Sequence, residues 1–387
     1  MTFRNRRLIL VFSTLLMVFA FVGGYLGQTL AKDDTYQHLR VFEDVVSLVL
    51  NNYVEPVDVR EAMKGAMKGL TDGLDPDSAF LTPELVRDLE SNDPGGAAEV
   101  GLDLTRQYYL RVISARDGSP AAEAGLRPGD FIRAINKRPT RDMSVFEGMR
   151  LLRGAPGSKV ALLVIRGNAA DPHEVELTRE RLTAPDITSR MANATTGYIR
   201  IAEFSANTAA QLQKTVDALT QSGATRFVID LRGTSRGDLD AGIAAARPFV
   251  KEGPLAVKLT RGGAEETVAS APGDGAVTAP VALLVDQGTA YAAEVFAAAL
   301  AEDDRADLVG FNTLGRAARQ RLVKLPDQSG LWLTYVRYLS PDGDPIHETG
   351  LEPEVEVEPT TEIEFGTEPP AGDAGLQKAL EHIAATK

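Results

Sequence analysis

The spacing of apolar residues changes several times along this chain, and each change marks an element. Leu8 to Leu26 is a run of nineteen uncharged, mostly apolar residues. From Thr35 to Tyr53, the residues Leu39, Phe42, Val45, Val46, Leu48 and Val49 recur at helical spacing. Glu61 to Leu70 reads as a second helix. Asp75-Pro76-Asp77-Ser78 is a turn, with Asp77 or Ser78 placed to cap the next element. Asp93-Pro94-Gly95-Gly96 is a loop and a boundary. Between Ala97 and Leu182 the runs are short and β-like: Val100 to Leu104, Tyr109 to Ile113, Phe131 to Ile135 and Lys159 to Ile165. Short helices at Pro120 to Leu126 and Val145 to Arg153 interrupt them. From Thr183 onward strands alternate with helices, which predicts α/β units with parallel pairing. The strands are Gly197 to Ile201, Arg226 to Leu231 and Val281 to Val285; the helices are Ala209 to Gln221, Asp240 to Phe249 and Tyr291 to Leu300. Gly330 to Tyr338 is a further strand. Pro359 to Gly375 has linker composition, and Leu376, Ala379, Leu380 and Ile383 stripe a closing helix.

Composition adds little to this α/β multidomain reading until the charges are placed. The chain has 387 residues, 44% hydrophobic and 25% charged, with a net charge of −13. That balance argues against a nucleic-acid partner. No cysteine is present, so disulfides and thiolate chemistry are excluded. Arg4, Arg6 and Arg7 precede the first apolar run, which is roughly 28 Å long as a helix, about one bilayer core. The positive end is expected in the cytoplasm, with everything after Lys32 extracytoplasmic, that is, periplasmic. Two readings remain: an uncleaved membrane anchor, or a signal peptide cut near Thr29-Leu30-Ala31.

One turn stands out chemically. Gly288-Thr289-Ala290-Tyr291-Ala292-Ala293-Glu294 links the Val281–Val285 strand to a helix. Such a turn exposes one side chain beside backbone N–H groups at a helix N-terminus, a natural mount for a nucleophile and an oxyanion. The exposed position holds Tyr291.

Four motifs, in order, resemble the C-terminal-processing (tail-specific) serine peptidases. Gly73-Leu74-Asp75-Pro76-Asp77-Ser78-Ala79-Phe80-Leu81-Thr82 is similar to their LDPxSxYLT signature. Gly118-Ser119-Pro120-Ala121, Ala124 to Asp130 and Leu151 to Gly154 are similar to their PDZ core. Ile229-Asp230-Leu231-Arg232 is similar to their DLR strand, and Tyr338 to Gly343 with Gly350 to Pro353 to their late elements. The resemblance runs from residue 35 to 387. It implies an anchor or signal over 1–31, a helical segment over 32–96, a PDZ-like domain over 97–182, and a ClpP/crotonase-like peptidase core over 183–358. Residues 359–387 would be a linker and a closing helix.

The same resemblance implies site residues. Val100, Gly101, Leu102, Asp103 and Leu104 would hold a peptide C-terminus, added as a strand with its carboxylate on loop amides. The family's Ser–Lys dyad falls on Tyr291 and Arg316, twenty-five residues apart, with Gln320 following and Gly237 and Ala292 at oxyanion-hole positions. A phenolate leaves an aryl ester readily, so attack on an amide is unproductive. Arg cannot shed its proton to act as a base. Loss of a nucleophile or its base costs roughly 10⁴–10⁶ in kcat. The oxyanion loop reads Gly233-Thr234-Ser235-Arg236-Gly237, with Arg236 expected to crowd the amide aimed at the oxyanion. Tyr291 and Arg316 would either form a compensating hydrogen-bonded or stacked pair, or leave Arg316 pointing to solvent. Gln320 and Glu294 would persist as structural hydrogen-bonding residues.

Three functions compete. One is a membrane-anchored pseudopeptidase that binds peptide or protein tails as an adaptor or regulator, paired with an active paralogue or with itself. The second is an active serine-type processing endopeptidase using Ser235 or Thr289, with Lys324 the nearest downstream lysine. The third is a non-binding envelope scaffold. The sequence shows no cofactor motif, and His38, His173, His347 and His382 are scattered, with no metal-ligand cluster.

Overall fold

The computed structural model describes residues 37–91, 95–167, 172–183, 185–302, 304–358, 365 and 372–385. The expected anchor, Leu8 to Leu26, and most of the expected linker lie outside them. Among the described residues no helix is long and apolar enough to cross a membrane. The chain divides into two compact units, Met1–Gly69 and Leu70–Lys387. In the first unit, a helix spans 37–52, and its stripe of Leu39, Phe42, Val45, Leu48 and Val49 is exposed.

The second unit is built around a six-stranded sheet. Its spatial order is Val355–Glu356, Ala306–Gly310, Val281–Val285, Arg226–Asp230, Thr196–Ile201 and Ile187–Met191. All neighbours pair in parallel except the last. Period-two alternation divides the strands between two layers. Phe227, Ile229, Val281, Leu283 and Val285 join the core containing the helices Thr208–Gln221, Leu239–Ala246 and Ala292–Ala301. Val228, Ala282 and Leu284 face the opposite way, onto Ala379 and Ile383 of the closing helix Ala374–Ala385. The carboxyl ends of adjacent parallel strands thus gather two loops at one edge, 231–237 and 286–291.

A second, antiparallel sheet joins Ala79–Leu81, Gly330–Leu339, Pro254–Thr260 and Ala264–Ala269, with Ala318–Lys324 also on Gly330–Leu339. Segment 32–96 is therefore not helical throughout. Ala79 and Leu81 alternate inward, which suits a short half-buried strand. The next helix, Pro83–Glu90, is capped by Thr82 rather than by Asp77 or Ser78. The backbone N–H groups of Asp77 and Ser78 instead donate to Asp75.

The β-rich module is a third sheet in the order Leu102–Gln107, Tyr109–Ala115, Phe131–Ile135, Lys159–Ile165 and His173–Thr178. Its first strand begins two residues later than the apolar run suggests. Gly101 has φ 77, and a Cβ there would lie 2.2 Å from the Ser119 Cβ, so the chain bends at Gly101 before it can extend. Leu102–Gln107 is an edge strand, and the helix Val145–Leu152 packs beside it.

Candidate active site and peptide groove

The turn after Val281–Val285 is organised by a buried acid. Asp286 accepts from the N–H groups of Gly288 at 2.9 Å and Gly233 at 2.8 Å, tying the 286–291 turn to the 231–237 loop. Burial holds the Asp286 carboxyl above its ordinary range, outweighing these donors. The Thr289 hydroxyl donates to the Leu231 carbonyl at 2.9 Å and accepts from the Asp286 N–H at 3.0 Å. Fully buried, Thr289 performs turn chemistry.

Tyr291 caps the helix Ala292–Ala301 with φ 55 and ψ −117. This is a sparsely populated conformation for a residue with a side chain, and it belongs to a strained strand-turn-helix elbow. The phenol donates to Oδ1 of Asp77 at 3.4 Å. Burial first, and then the Asp77 charge, hold the phenol well above its ordinary pKa, so it stays neutral. Ala292, the first residue of the helix, is fully buried. Gly237 has φ 122, and a Cβ there would lie 2.1 Å from the Phe204 carbonyl oxygen, so this position admits only glycine.

Arg316 is buried at the end of a loop shaped by Glu294. That carboxylate accepts from the Thr313 hydroxyl, from Gly315 N at 2.6 Å and from Arg316 N at 2.7 Å. Burial raises Glu294 to about 7 despite these donors. The Arg316 guanidinium reaches Thr105 Oγ1 at 3.1 and 3.3 Å, and its Nε lies 3.9 Å from Asp77 Oδ1. The expected direct pairing is not what forms. Among the described residues, no hydrogen bond or cation–π contact joins Tyr291 to Arg316; both converge on Asp77. A carboxylate outcompetes a phenol for a guanidinium, because a charge-assisted contact is the stronger one.

Arg236 does not crowd the loop as expected. Its guanidinium swings to the β-rich module, onto Asp103 at 2.8 and 3.1 Å and Glu99 at 2.9 and 3.0 Å. Ser235 accompanies it, with Oγ 2.8 Å from Asp103 and 2.6 Å from Ser114 Oγ. Lys324 ends the strand Ala318–Lys324 and pairs with Glu90, away from Ser235. Gln320 donates to Thr334 at 3.2 Å.

The residues expected to hold a peptide C-terminus divide by face. Val100, Leu102 and Leu104 enter the module's core, while Asp103 turns to Ser235 and Arg236. The carbonyls of Val100 and Gly101 accept from Ala121 at 3.0 Å and Arg116 at 2.8 Å. A cavity of about 200 Å³ brings Val145, Phe146 and Met149 of the helix beside the edge strand together with Tyr291, Gln320, Trp332 and Asp77. The structure thus gathers Tyr291, Gln320 and, through Asp77, Arg316.

Sequence reasoning gave no role to Thr105, Glu99 or Asp286, and none to Asp77 beyond that of a helix cap. The one available signal was Asp286, an acid directly after an apolar strand. His347 was likewise missed. It is 3% exposed, and neither ring nitrogen has a hydrogen-bond partner. Burial, then Arg316 and Arg337, push it down to about 4, while burial pushes Asp77 up to about 6 against the pull of Arg316.

This arrangement has counterparts among known proteins. Residues 195–357 match peptidase family S41, and residues 111–166 match the PDZ domain. The chain is 32% identical over 358 residues to the carboxyl-terminal-processing protease of Synechocystis sp., covering 90% of this chain and 82% of that protein. It is 30% identical over 338 residues to the carboxy-terminal processing protease CtpA of Bacillus subtilis, covering 86% and 72%. The solved photosystem II D1 C-terminal processing protease superposes with a TM-score of 0.71 at 27% identity, over 89% of this chain and 91% of that one. With a PDZ domain set against an α/β core at the elbow, the chain belongs to the C-terminal-processing peptidase family.

Proposed function

We propose that this chain is a peptidase-family protein that holds peptide C-termini and does not cut them, acting as an adaptor or regulator in the cell envelope. The observation that carries this reading is the elbow itself. Tyr291 keeps a strained φ of 55 and ψ of −117, which suits a presented nucleophile, yet it presents a neutral phenol. The position twenty-five residues on holds a buried guanidinium engaged with Thr105 and near Asp77. A neutral phenol beside a permanent cation has neither nucleophile nor base. Tail binding rests on the edge strand Leu102–Gln107, the bend at Gly101 and the apolar helix face bordering the cavity. Placement outside the cytoplasm, by anchor or after cleavage, rests on Arg4, Arg6, Arg7 and the run Leu8 to Leu26.

The test is turnover of an unstructured protein, alongside binding of peptides with free or amidated C-termini. The expected result is no cleavage and binding that amidation weakens. Cleavage abolished by Ser235→Ala or Thr289→Ala overturns the reading in favour of a processing endopeptidase. Equal binding of both peptides removes tail capture and leaves a scaffold.

A further inference from the structure

We propose that Asp75, Asp77 and His347 form a binding site for one divalent transition-metal ion of the zinc class. One carboxylate oxygen from each aspartate and one ring nitrogen of His347 lie within 4.8 Å of one another. In a tetrahedral zinc site with bonds of about 2.1 Å, neighbouring donors sit about 3.4 Å apart. Donors at the 4.8 Å limit would have to close by about 1.4 Å to reach that spacing.

Acidic neighbours alone would not make a site. The independent observation is His347, whose two ring nitrogens are buried and without a partner. A buried imidazole always carries at least one donor or one acceptor per nitrogen, and leaving both unsatisfied is costly. Oδ2 of Asp77 is likewise buried and without a partner, while its Oδ1 faces Tyr291 and Arg316. The free oxygen and the free imidazole therefore belong to the same cluster.

Asp75 supplies the fixed member. Its Oδ1 accepts from Asp77 N at 2.9 Å and Ser78 N at 2.6 Å, and its Oδ2 from Ser78 Oγ at 2.9 Å. A carboxylate has about four acceptor positions, so one stays open while three donors lock the group in place. Such outer hydrogen bonds are what orients metal ligands.

The donor set selects the class of ion. One imidazole with two carboxylates suits zinc, manganese, cobalt or ferrous iron, whereas calcium and magnesium favour oxygen alone. Asp75, Asp77 and Glu348 also outnumber the neighbouring cations Arg316 and Arg337, which leaves net negative charge at the cluster. Arg316 lies on the Oδ1 side of Asp77 and is anchored on Thr105 and the Gly315 carbonyl. It lowers the affinity but leaves Oδ2 free. A cavity of about 350 Å³ bordered by Asp75 and Glu348 gives the ion an approach.

This inference does not depend on whether the chain is a protease. The test is titration of the chelator-treated full chain with Co²⁺, read by its visible absorption, and displacement by Zn²⁺. One equivalent should bind with a low-symmetry, nitrogen-containing spectrum. His347→Ala and Asp77→Asn should each weaken binding at least 10-fold, while His38→Ala leaves it unchanged. A wild-type chain that gives no such band with Co²⁺ overturns the site without any variant. So does a band that survives His347→Ala, or one that is lost with His38→Ala.

Discussion

The Tyr291 hydroxyl donates to Oδ1 of Asp77 at 3.4 Å, so the elbow residue is fastened to the turn that opens the core. The bond is long, and Asp77 is raised to about 6, chiefly by burial. Near neutral pH the carboxylate is therefore ionised while the phenol is not. Arg316 Nε lies 3.9 Å from the same oxygen. The three residues form one polar unit, through Oδ1 of Asp77, whose middle member comes from a motif far from the elbow in sequence. Altering Tyr291 or Arg316 alone leaves Asp77 with one partner fewer. The shared carboxylate is what holds these two large residues beside the elbow.

Strain at the elbow should be measurable. Tyr291 sits at φ 55, where a Cβ is disfavoured, at a cost on the order of 1–3 kcal/mol. Tyr291→Ala keeps the strain and loses the packing of the ring. Tyr291→Gly loses the same packing but releases the strain. We expect the glycine variant to be more stable than the alanine variant by about 1 kcal/mol, reversing the usual order of the two residues. Equal urea midpoints for the two variants would show that the turn relaxes without cost.

Arg236 should act as a clamp between the PDZ domain and the peptidase core. Burial alone would raise the Glu99 carboxyl, but the Arg236 guanidinium hydrogen-bonded to it outweighs that and holds it below its ordinary range. Its contribution is then present above the ordinary glutamate range and lost as pH falls through the folded value. Removing the cation leaves Glu99 and Asp103 short of a partner, though Arg153 and Ser235 remain. Arg236→Ala should therefore cost less than the roughly 3–5 kcal/mol of breaking an isolated buried pair. A double-mutant cycle of Arg236→Ala with Asp103→Asn should show coupling of at least about 0.5 kcal/mol. Additive effects would mean that the contact is not energetic.

The two glycines at the start of the PDZ domain differ in a way that alanine can read. Gly118 has φ 68 with open space around it, so Gly118→Ala carries only conformational strain, about 1–2 kcal/mol. Gly101 has φ 77 and would drive a Cβ to 2.2 Å from Ser119. Gly101→Ala should cost distinctly more and also weaken binding of a free peptide C-terminus, measured by fluorescence anisotropy. Similar losses in both variants would separate the bend from the groove.

Much of this architecture was written in local patterns. The parallel strands were legible because they are short, fully apolar runs, such as Val281 to Val285. The elbow was legible because an apolar run gives way to Gly288-Thr289 and then to helical spacing. The strand Ala318–Lys324 was not, since Arg319, Arg321 and Lys324 place charges along it and three of its seven residues are exposed. The hairpin Pro254–Thr260 with Ala264–Ala269 was hidden for the same reason, by Lys258, Glu265 and Glu266. Direct pairing of Tyr291 with Arg316, and crowding by Arg236, were expected from sequence positions. Both were displaced by carboxylates, Asp77 in one case and Asp103 with Glu99 in the other. Those acids lie more than a hundred residues from their partners, and no periodicity relates them.

Glu294 gives the chain a pH dependence opposite in sign to that of the Arg236 clamp. Its folded value is about 7 against an ordinary value of 4.5, raised by burial. Between those values the folded chain keeps a proton that the unfolded chain has released. The contribution is therefore fully present below about 4.5, shrinks as pH rises, and is gone above about 7. At about 1.4 kcal/mol per pH unit, the window is worth on the order of 3 kcal/mol. Glu294→Gln removes the titration. It also turns an amide nitrogen toward one of the N–H groups of Gly315 or Arg316, which then has no acceptor. That mismatch should cost roughly 1–3 kcal/mol at low pH. Denaturant unfolding from about pH 5 to pH 8 should show wild-type stability falling relative to Glu294→Gln, so that the two curves converge toward neutrality. Parallel curves across that range would remove Glu294 as the titrating group and leave it a purely structural acceptor for the loop that carries Arg316.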